Sequence, residues 1–113
     1  IPTTRALSIV GSDEKAERET TERGAMLLRM AETHVRFGSF EGFHYTGRGD
    51  NVKLLADYVI ENNFSHLAEE SNKYASFLSE VVDRTAKLLA LWQAYGFAHG
   101  VMNTDNMSII GLT

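Results

Sequence analysis

A polar turn near the end of the chain carries the residues best suited to chemistry. The segment from Phe97 to Ser108 reads FAHGVMNTDNMS. A carboxylate such as that of Asp105 can accept a proton from an attacking hydroxyl, and the amide oxygen of Asn106 is a suitable ligand for Mg²⁺. Asp and Asn also hydrogen-bond their own backbone in ordinary turns. On residue chemistry alone, a simple polar turn is the favoured interpretation.

The spacing within this turn is typical of the catalytic loop of protein kinases. There a histidine opens the loop and an asparagine seven positions later holds a metal ion, and His99 and Asn106 have this spacing. The usual catalytic aspartate would fall at position 101, where this chain has Val101. Asp105 is therefore the one carboxylate of a kinase-like loop. We interpret His99 as structural, a residue that packs and hydrogen-bonds the loop backbone.

Two arginines, Arg29 and Arg36, are candidates for binding phosphate. Each planar guanidinium can form two parallel hydrogen bonds to phosphate oxygens. The alternative is an ion pair with Glu32 or Glu41. On the residues alone, the ion pair is the favoured use.

Short β-branched or apolar runs predict the strands that precede these groups. Residues 5–10 and 25–30 read as strands, and the charged segment 11–24 reads as a solvated turn or hairpin connection. The apolar residues at 108–113 predict a further strand after the polar turn. With the helices described next, the fold class is α+β and mainly helical.

Apolar residues at helical spacing predict the elements between the strands. The strongest periodic segment, residues 74–95, has a wide apolar stripe and Gly96 as its C-cap. A second helix is predicted from residue 51 to about residue 62, with Asp50 as its N-cap. The aromatic, glycine-interrupted segment 37–45 is either a short helix or an ordered loop.

Composition limits the class of protein. The chain has 113 residues, enough for one domain at most, and 43% of them are hydrophobic. Its net charge of −4 argues against nucleic-acid binding. The absence of cysteine excludes a thiolate zinc site, and no apolar run has the length of a membrane span. A start at Ile1 and an end within an apolar segment predict a fragment of a larger protein.

Four stretches of the chain together resemble the selenoprotein O (YdiU) family. They are residues 1–8, 29–41, 84–86 and 92–108. The last, WQAYGFAHGVMNTDNMS, is close to a family signature. The resemblance implies a partial protein-kinase-like fold, with strands and hinge region in residues 1–47. Residues 48–113 would then form part of the helical C-lobe, including a catalytic loop at 99–107.

The same resemblance implies a reaction and roles for individual residues. The family transfers AMP from ATP to hydroxyl side chains of other proteins. By the resemblance, Asp105 is the catalytic base and Asn106 a ligand of Mg²⁺. Arg29 and Arg36 would hold the terminal phosphate of an ATP molecule bound in the reverse sense to that in kinases.

Two other functions are alternatives to AMP transfer, and the sequence also leads to expectations about partners, location and the behaviour of the isolated chain. The alternatives are ordinary γ-phosphoryl transfer and a non-catalytic nucleotide-binding or interaction module. Partners would be ATP and proteins bearing Ser, Thr or Tyr acceptors, in a bacterial cytoplasm or a mitochondrion. The 113 residues alone are expected to be inactive, to bind no magnesium, and to self-associate through exposed edges at 25–30 and 107–113.

Overall fold

A long antiparallel hairpin precedes a group of helices in the computed structural model, which describes residues 1–113. The chain is a small α+β domain with one two-stranded sheet and three α-helices, in agreement with the predicted fold class. Short 3₁₀ turns follow α2 and form the polar turn near the end of the chain. The elements are β1 (Arg5–Glu17), β2 (Thr21–Met30), α1 (Phe37–Tyr45), α2 (Gly49–Asn63) and α3 (Lys73–Ala94), with 3₁₀ turns at Ser65–Leu67 and Thr104–Asn106.

The hairpin is longer than the sequence predicted. The interpretation of residues 11–24 as a solvated turn or hairpin connection is right in part, because these residues are mostly exposed and lie within the hairpin. Both strands nevertheless continue through the segment and leave only residues 18–20 between them. Backbone ladder hydrogen bonds need no apolar side chains, and charged residues pair across the strands instead, as Arg23 does with Asp13. The residues flanking this charged part were predicted correctly, with Val10 opposite Met26.

The two shorter helices largely follow the predictions. Residues 37–45 form a helix, which decides between the two alternatives for that segment. Helix α2 begins at Gly49 and ends at Asn63, close to the predicted end. The predicted N-cap is wrong, because Arg48 occupies that position and Asp50 lies in the first turn. An aspartate there still favours the helix, since its charge opposes the positive end of the helix dipole.

Helix α3 confirms the strongest periodic signal, and Gly96 follows its C-cap with φ +67°. The apolar stripe is narrower than predicted. Leu78 and Val82 are 64% and 57% exposed, because no other part of the chain covers that side of the helix. The buried positions of α3 advance by four or seven residues and are Phe77, Val81, Leu88 and Trp92.

The predicted strand at 108–113 is wrong. Only Ser108 makes a strand-like bridge, to Arg36, and the chain then turns at Gly111, where φ is +78°. Ile109 and Ile110 enter the main core instead, where apolar residues of α2, α3 and the intervening turn meet. A buried turn of this kind gives the same apolar run in sequence as a buried strand.

Thr113 joins the hairpin to the helices. Its backbone N–H donates to the Pro2 carbonyl oxygen at 2.9 Å, and its hydroxyl accepts a hydrogen bond from the Trp92 indole at 2.9 Å. The start of the hairpin is therefore fixed against the end of α3. None of the helices combines the length and apolar character needed to cross a bilayer.

Candidate active site

The polar turn begins with a histidine that is held by aromatic packing. The His99 ring stacks on Trp92 with centroids 5.0 Å apart and planes at 22°. Its Nδ1 accepts a hydrogen bond from the backbone N–H of Val101 at 3.3 Å. This arrangement confirms the structural interpretation of His99, because the ring packs on α3 and orders the loop backbone.

Asn106 is fixed in the loop through its amide nitrogen. Nδ2 donates to the Asn103 side-chain oxygen at 2.6 Å and to the Val101 carbonyl at 3.3 Å. These bonds orient the amide and leave its carbonyl oxygen without a protein partner. That oxygen is the atom a hard cation would bind. The bond to Asn103 fits a role for that residue in orienting the loop.

Asp105 lies in a turn that packs against α1. The Arg36 guanidinium donates to the backbone carbonyl of Asp105, and the Thr104 hydroxyl donates to the Glu41 carboxylate on α1. The Asp105 carboxylate is exposed and makes no hydrogen bond or ion pair within the chain. The backbone of this residue is thus held while its carboxylate remains free to accept a proton.

Arg36 reaches the loop because its own segment pairs with the chain that follows the loop. Arg36 has extended backbone and bridges Ser108, with hydrogen bonds on both sides. The Phe37 N–H donates to the Met107 carbonyl at 3.1 Å, and the Ile109 N–H donates to the Val35 carbonyl at 3.1 Å. This short pairing sets the distance between the arginine and the polar turn.

Arg29, near the end of β2, has a neutral partner. Its Nε and one terminal nitrogen donate to the Thr4 hydroxyl at 3.0 and 2.7 Å. The alternative of an ion pair with Glu32 or Glu41 is wrong for both Arg29 and Arg36, because neither arginine forms a salt bridge. Glu41 instead accepts a hydrogen bond from the Thr104 hydroxyl. Both guanidinium charges are therefore left without a carboxylate partner.

A cavity of about 320 Å³ brings three of the four predicted site residues together. Arg29, Arg36 and Asn106 line it, along with His99 and Thr4. Asp105 is outside the lining, and its backbone carbonyl accepts a hydrogen bond from Arg36, which lines the cavity. No acidic residue lines the cavity, so its field favours an anion. The volume is at the lower end of the usual range for small-molecule sites, roughly 300–1,000 Å³.

The residues at the cavity fit only part of a magnesium site. No group of three or more His, Cys, Asp or Glu side chains is arranged to hold a metal ion. Magnesium in nucleotide-dependent enzymes commonly uses few protein oxygens and takes its other ligands from phosphate and water. The free carbonyl oxygen of Asn106 suits one such position.

The ionisable groups with shifted pKa values lie outside the cavity lining and form hydrogen-bonded pairs within the helical part of the chain. Hydrogen bonds from Lys73 and then Tyr74 lower the pKa of Asp57, and the bond to Asp57 raises the pKa of Lys73. Burial acts to raise the pKa of Glu80, but hydrogen bonds, first from Arg84, outweigh it and leave this pKa below its ordinary value. These shifts therefore reflect structural pairs between or within helices.

Comparison with known proteins identifies the family. The sequence profile of the family described as "Protein adenylyltransferase SelO" matches residues 1–113. The chain is 65% identical over its whole length to "Protein nucleotidyltransferase YdiU" of Cronobacter sakazakii, and 62% and 60% identical to proteins of the same name from Myxococcus xanthus and Erwinia tasmaniensis. It spans 23%, 23% and 24% of the lengths of these relatives. The chain therefore belongs to the SelO family.

Proposed function

We propose that this chain carries part of the active site of a protein adenylyltransferase, which transfers AMP from ATP to hydroxyl side chains of other proteins. The observation that carries the proposal is the position of the Asp105–Asn106 turn beside a cavity lined by two arginines without carboxylate partners. Family membership supports the same reaction, as do the names of the bacterial relatives.

Asp105 is the proposed general base. In AMP transfer the acceptor hydroxyl oxygen forms a bond to the α-phosphorus of ATP, the bond between that phosphorus and the bridging oxygen breaks, and pyrophosphate leaves. The hydroxyl proton passes to the Asp105 carboxylate, which is exposed and free of protein partners. Holding the backbone of Asp105 through Arg36 fixes the carboxylate relative to the cavity.

The two arginines are the proposed binding groups for the terminal phosphates. Arg29 and Arg36 line one cavity, and neither forms a salt bridge within the chain. Planar guanidinium groups suit bidentate bonds to phosphate oxygens. If they hold the end of the triphosphate away from the acceptor, the α-phosphorus is the atom left near Asp105. This arrangement favours AMP transfer over γ-phosphoryl transfer.

Asn106 is the proposed magnesium ligand, through its side-chain oxygen. When bound, Mg²⁺ supplies positive charge that neutralises the phosphates as negative charge develops on the leaving pyrophosphate. The protein contribution is orientation, because Asn103 and the Val101 carbonyl fix the amide of Asn106 with its oxygen free.

A partial kinase-like fold is the architecture that this function would require. In this proposal residues 1–47 supply N-lobe strands and the hinge region, and residues 48–113 supply helices of the C-lobe with the loop at 99–107. The order of elements supports it, since a hairpin precedes the helices and the polar turn follows the longest helix directly.

The mass added to an acceptor protein tests the proposed reaction. The full-length protein is incubated with ATP, Mg²⁺ and a cell extract, and modified peptides are identified by mass spectrometry. AMP on serine, threonine or tyrosine is the expected product. A single phosphate on the same peptides would favour the γ-phosphoryl alternative, although Val101 replaces the usual kinase base. No modification at all would leave a non-catalytic binding module.

A further inference from the structure

Gly38, the second residue of α1, is a glycine that the helix itself does not require. Its φ is not positive, since the four positive-φ glycines lie elsewhere in the chain. Glycine within a helix is less favourable than alanine, because it loses more backbone freedom on folding. Another contact must therefore explain why a residue without a side chain suits this position.

The missing side chain at position 38 makes room for the Asp105 carboxylate. A Cβ added to Gly38 would overlap Oδ1 of Asp105, and it would lie 3.2 Å from Cγ and 3.3 Å from Cα of the same residue. The Cα–Cβ bonds of a helix tilt toward its N-terminus, which is the side where the polar turn packs on α1. All three nearest atoms to this added Cβ belong to Asp105.

The other contacts at this turn hold its backbone but do not fix the direction of the Asp105 carboxylate, which depends on the space at Gly38. Arg36 binds the carbonyl of Asp105, and Thr104 is tied to Glu41 on α1. An alanine at position 38 can be accommodated if the short, exposed Asp105 side chain rotates and the backbone of the turn shifts by a few tenths of an ångström, because the added Cβ would also lie 3.3 Å from the Cα of Asp105. The fold would then survive while the carboxylate moves away from its present position.

We propose that Gly38 is a positioning residue for AMP transfer, because the space above its Cα sets the orientation of the Asp105 carboxylate. The inference rests on the proposed role of Asp105 as general base. A displaced carboxylate still leaves the arginines and the cavity intact, so nucleotide binding is unaffected. The chemical step slows, because a misplacement on the order of 1 Å can cost roughly 10²-fold in rate.

Gly42 provides a matched control on the same helix. It lies one turn further along α1, and nothing is within 4 Å of a Cβ added there. Gly38→Ala and Gly42→Ala thus make the same chemical change in the same helix. They differ in whether the new methyl group meets Asp105.

The test compares both variants with wild type in the full-length protein, measuring kcat and KM for ATP in AMP transfer. We expect Gly38→Ala to lower kcat by about tenfold or more with KM for ATP within about twofold, and Gly42→Ala to change neither. A Gly38→Ala enzyme with the kcat of Gly42→Ala overturns the proposal. Asp105→Ala, assayed in parallel, distinguishes the proposed base from the proposed positioning residue. If Asp105→Ala abolishes transfer while Gly38→Ala is fully active, the role of Asp105 stands and only the role of Gly38 is wrong.

A double variant keeps the test decisive if Gly38→Ala does not fold. Replacing Asp105 by alanine as well removes the carboxylate that the new methyl group would meet. Recovery of a folded protein in Gly38→Ala/Asp105→Ala, judged by its thermal melting, supports the contact. If the double variant is also unfolded, the space at position 38 is needed for some other reason and the proposal is wrong.

Discussion

The two arginines at the cavity have different partners, so replacing them one at a time should separate nucleotide binding from loop positioning. Arg29 bonds the neutral hydroxyl of Thr4 and makes no hydrogen bond to the polar turn. Arg36 bonds the backbone carbonyl of Asp105. Arg29→Ala should therefore raise KM for ATP with little change in kcat, whereas Arg36→Ala should raise KM and also lower kcat.

The size of the effect follows from the hydrogen bonds removed. A hydrogen bond involving a charged group contributes about 1.5–3 kcal/mol. Arg36 is only half-buried and the turn is exposed, which puts the loss near the lower limit, about tenfold in kcat. Loss of one phosphate-binding arginine should raise KM by a similar factor, about tenfold.

Steady-state kinetics of AMP transfer by the full-length protein measures both parameters. Arg48→Ala is the matched control, because this exposed arginine makes no side-chain hydrogen bond or ion pair. Equal losses of kcat in Arg29→Ala and Arg36→Ala would refute the reasoning, as would an unchanged kcat in Arg36→Ala.

Three further predictions concern stability and association. Gly111→Ala should lower the free energy of unfolding, measured by urea denaturation, by at least about 1–2 kcal/mol because of its positive φ, and by more because the new Cβ would crowd Arg84 on α3. Gly96→Ala, which also has a positive φ but no neighbour within 4 Å, should lower it less, and the reverse order would contradict this reasoning. Because the pKa of Glu80 is lowered in the folded state, its contribution to stability is fully present above the ordinary pKa of 4.5 and is lost as the pH falls through the lower folded value. Glu80→Gln should therefore reduce the fall in melting temperature on acidification, and an unchanged fall would contradict this role of Glu80. The isolated 113-residue chain should self-associate through its hairpin, where Ile9 and Leu27 are 70% and 50% exposed. The expected edge at 107–113 is wrong, because Met107, Ile109 and Ile110 are buried. Light scattering should give a lower mass for Ile9→Lys/Leu27→Lys than for wild type, and a wild-type monomer at high concentration would exclude self-association through the hairpin.

The sequence predicted elements wherever one physical signal dominated. Helix α3 was found because its apolar residues recur at helical spacing and a glycine follows its end. The extent of the hairpin was missed, because the charged residues at 11–24 have no apolar alternation to mark a strand. The segment 108–113 was misread, since a short apolar run looks the same whether it is a strand or a buried turn.

The sequence led to the candidate site residues but not to the contacts that they make. Spacing alone led to Asn106 and to the structural role of His99, and family resemblance led to Asp105. The bond between Arg36 and Asp105 joins residues 69 positions apart, and that between Arg29 and Thr4 joins residues 25 apart. Contacts at such separations depend on tertiary packing, so the space at Gly38 also became visible only in the structure.

Incorporation of AMP from ATP labelled in its α-phosphate, compared between the wild-type full-length protein and Asp105→Asn, tests the proposed base most directly. The substitution keeps the size of the side chain and the backbone contact to Arg36 while removing the proton acceptor. We expect labelling of acceptor proteins to be lost while ATP binding and the melting temperature are unchanged. Labelling at the wild-type rate by Asp105→Asn would show that this carboxylate does not take the proton.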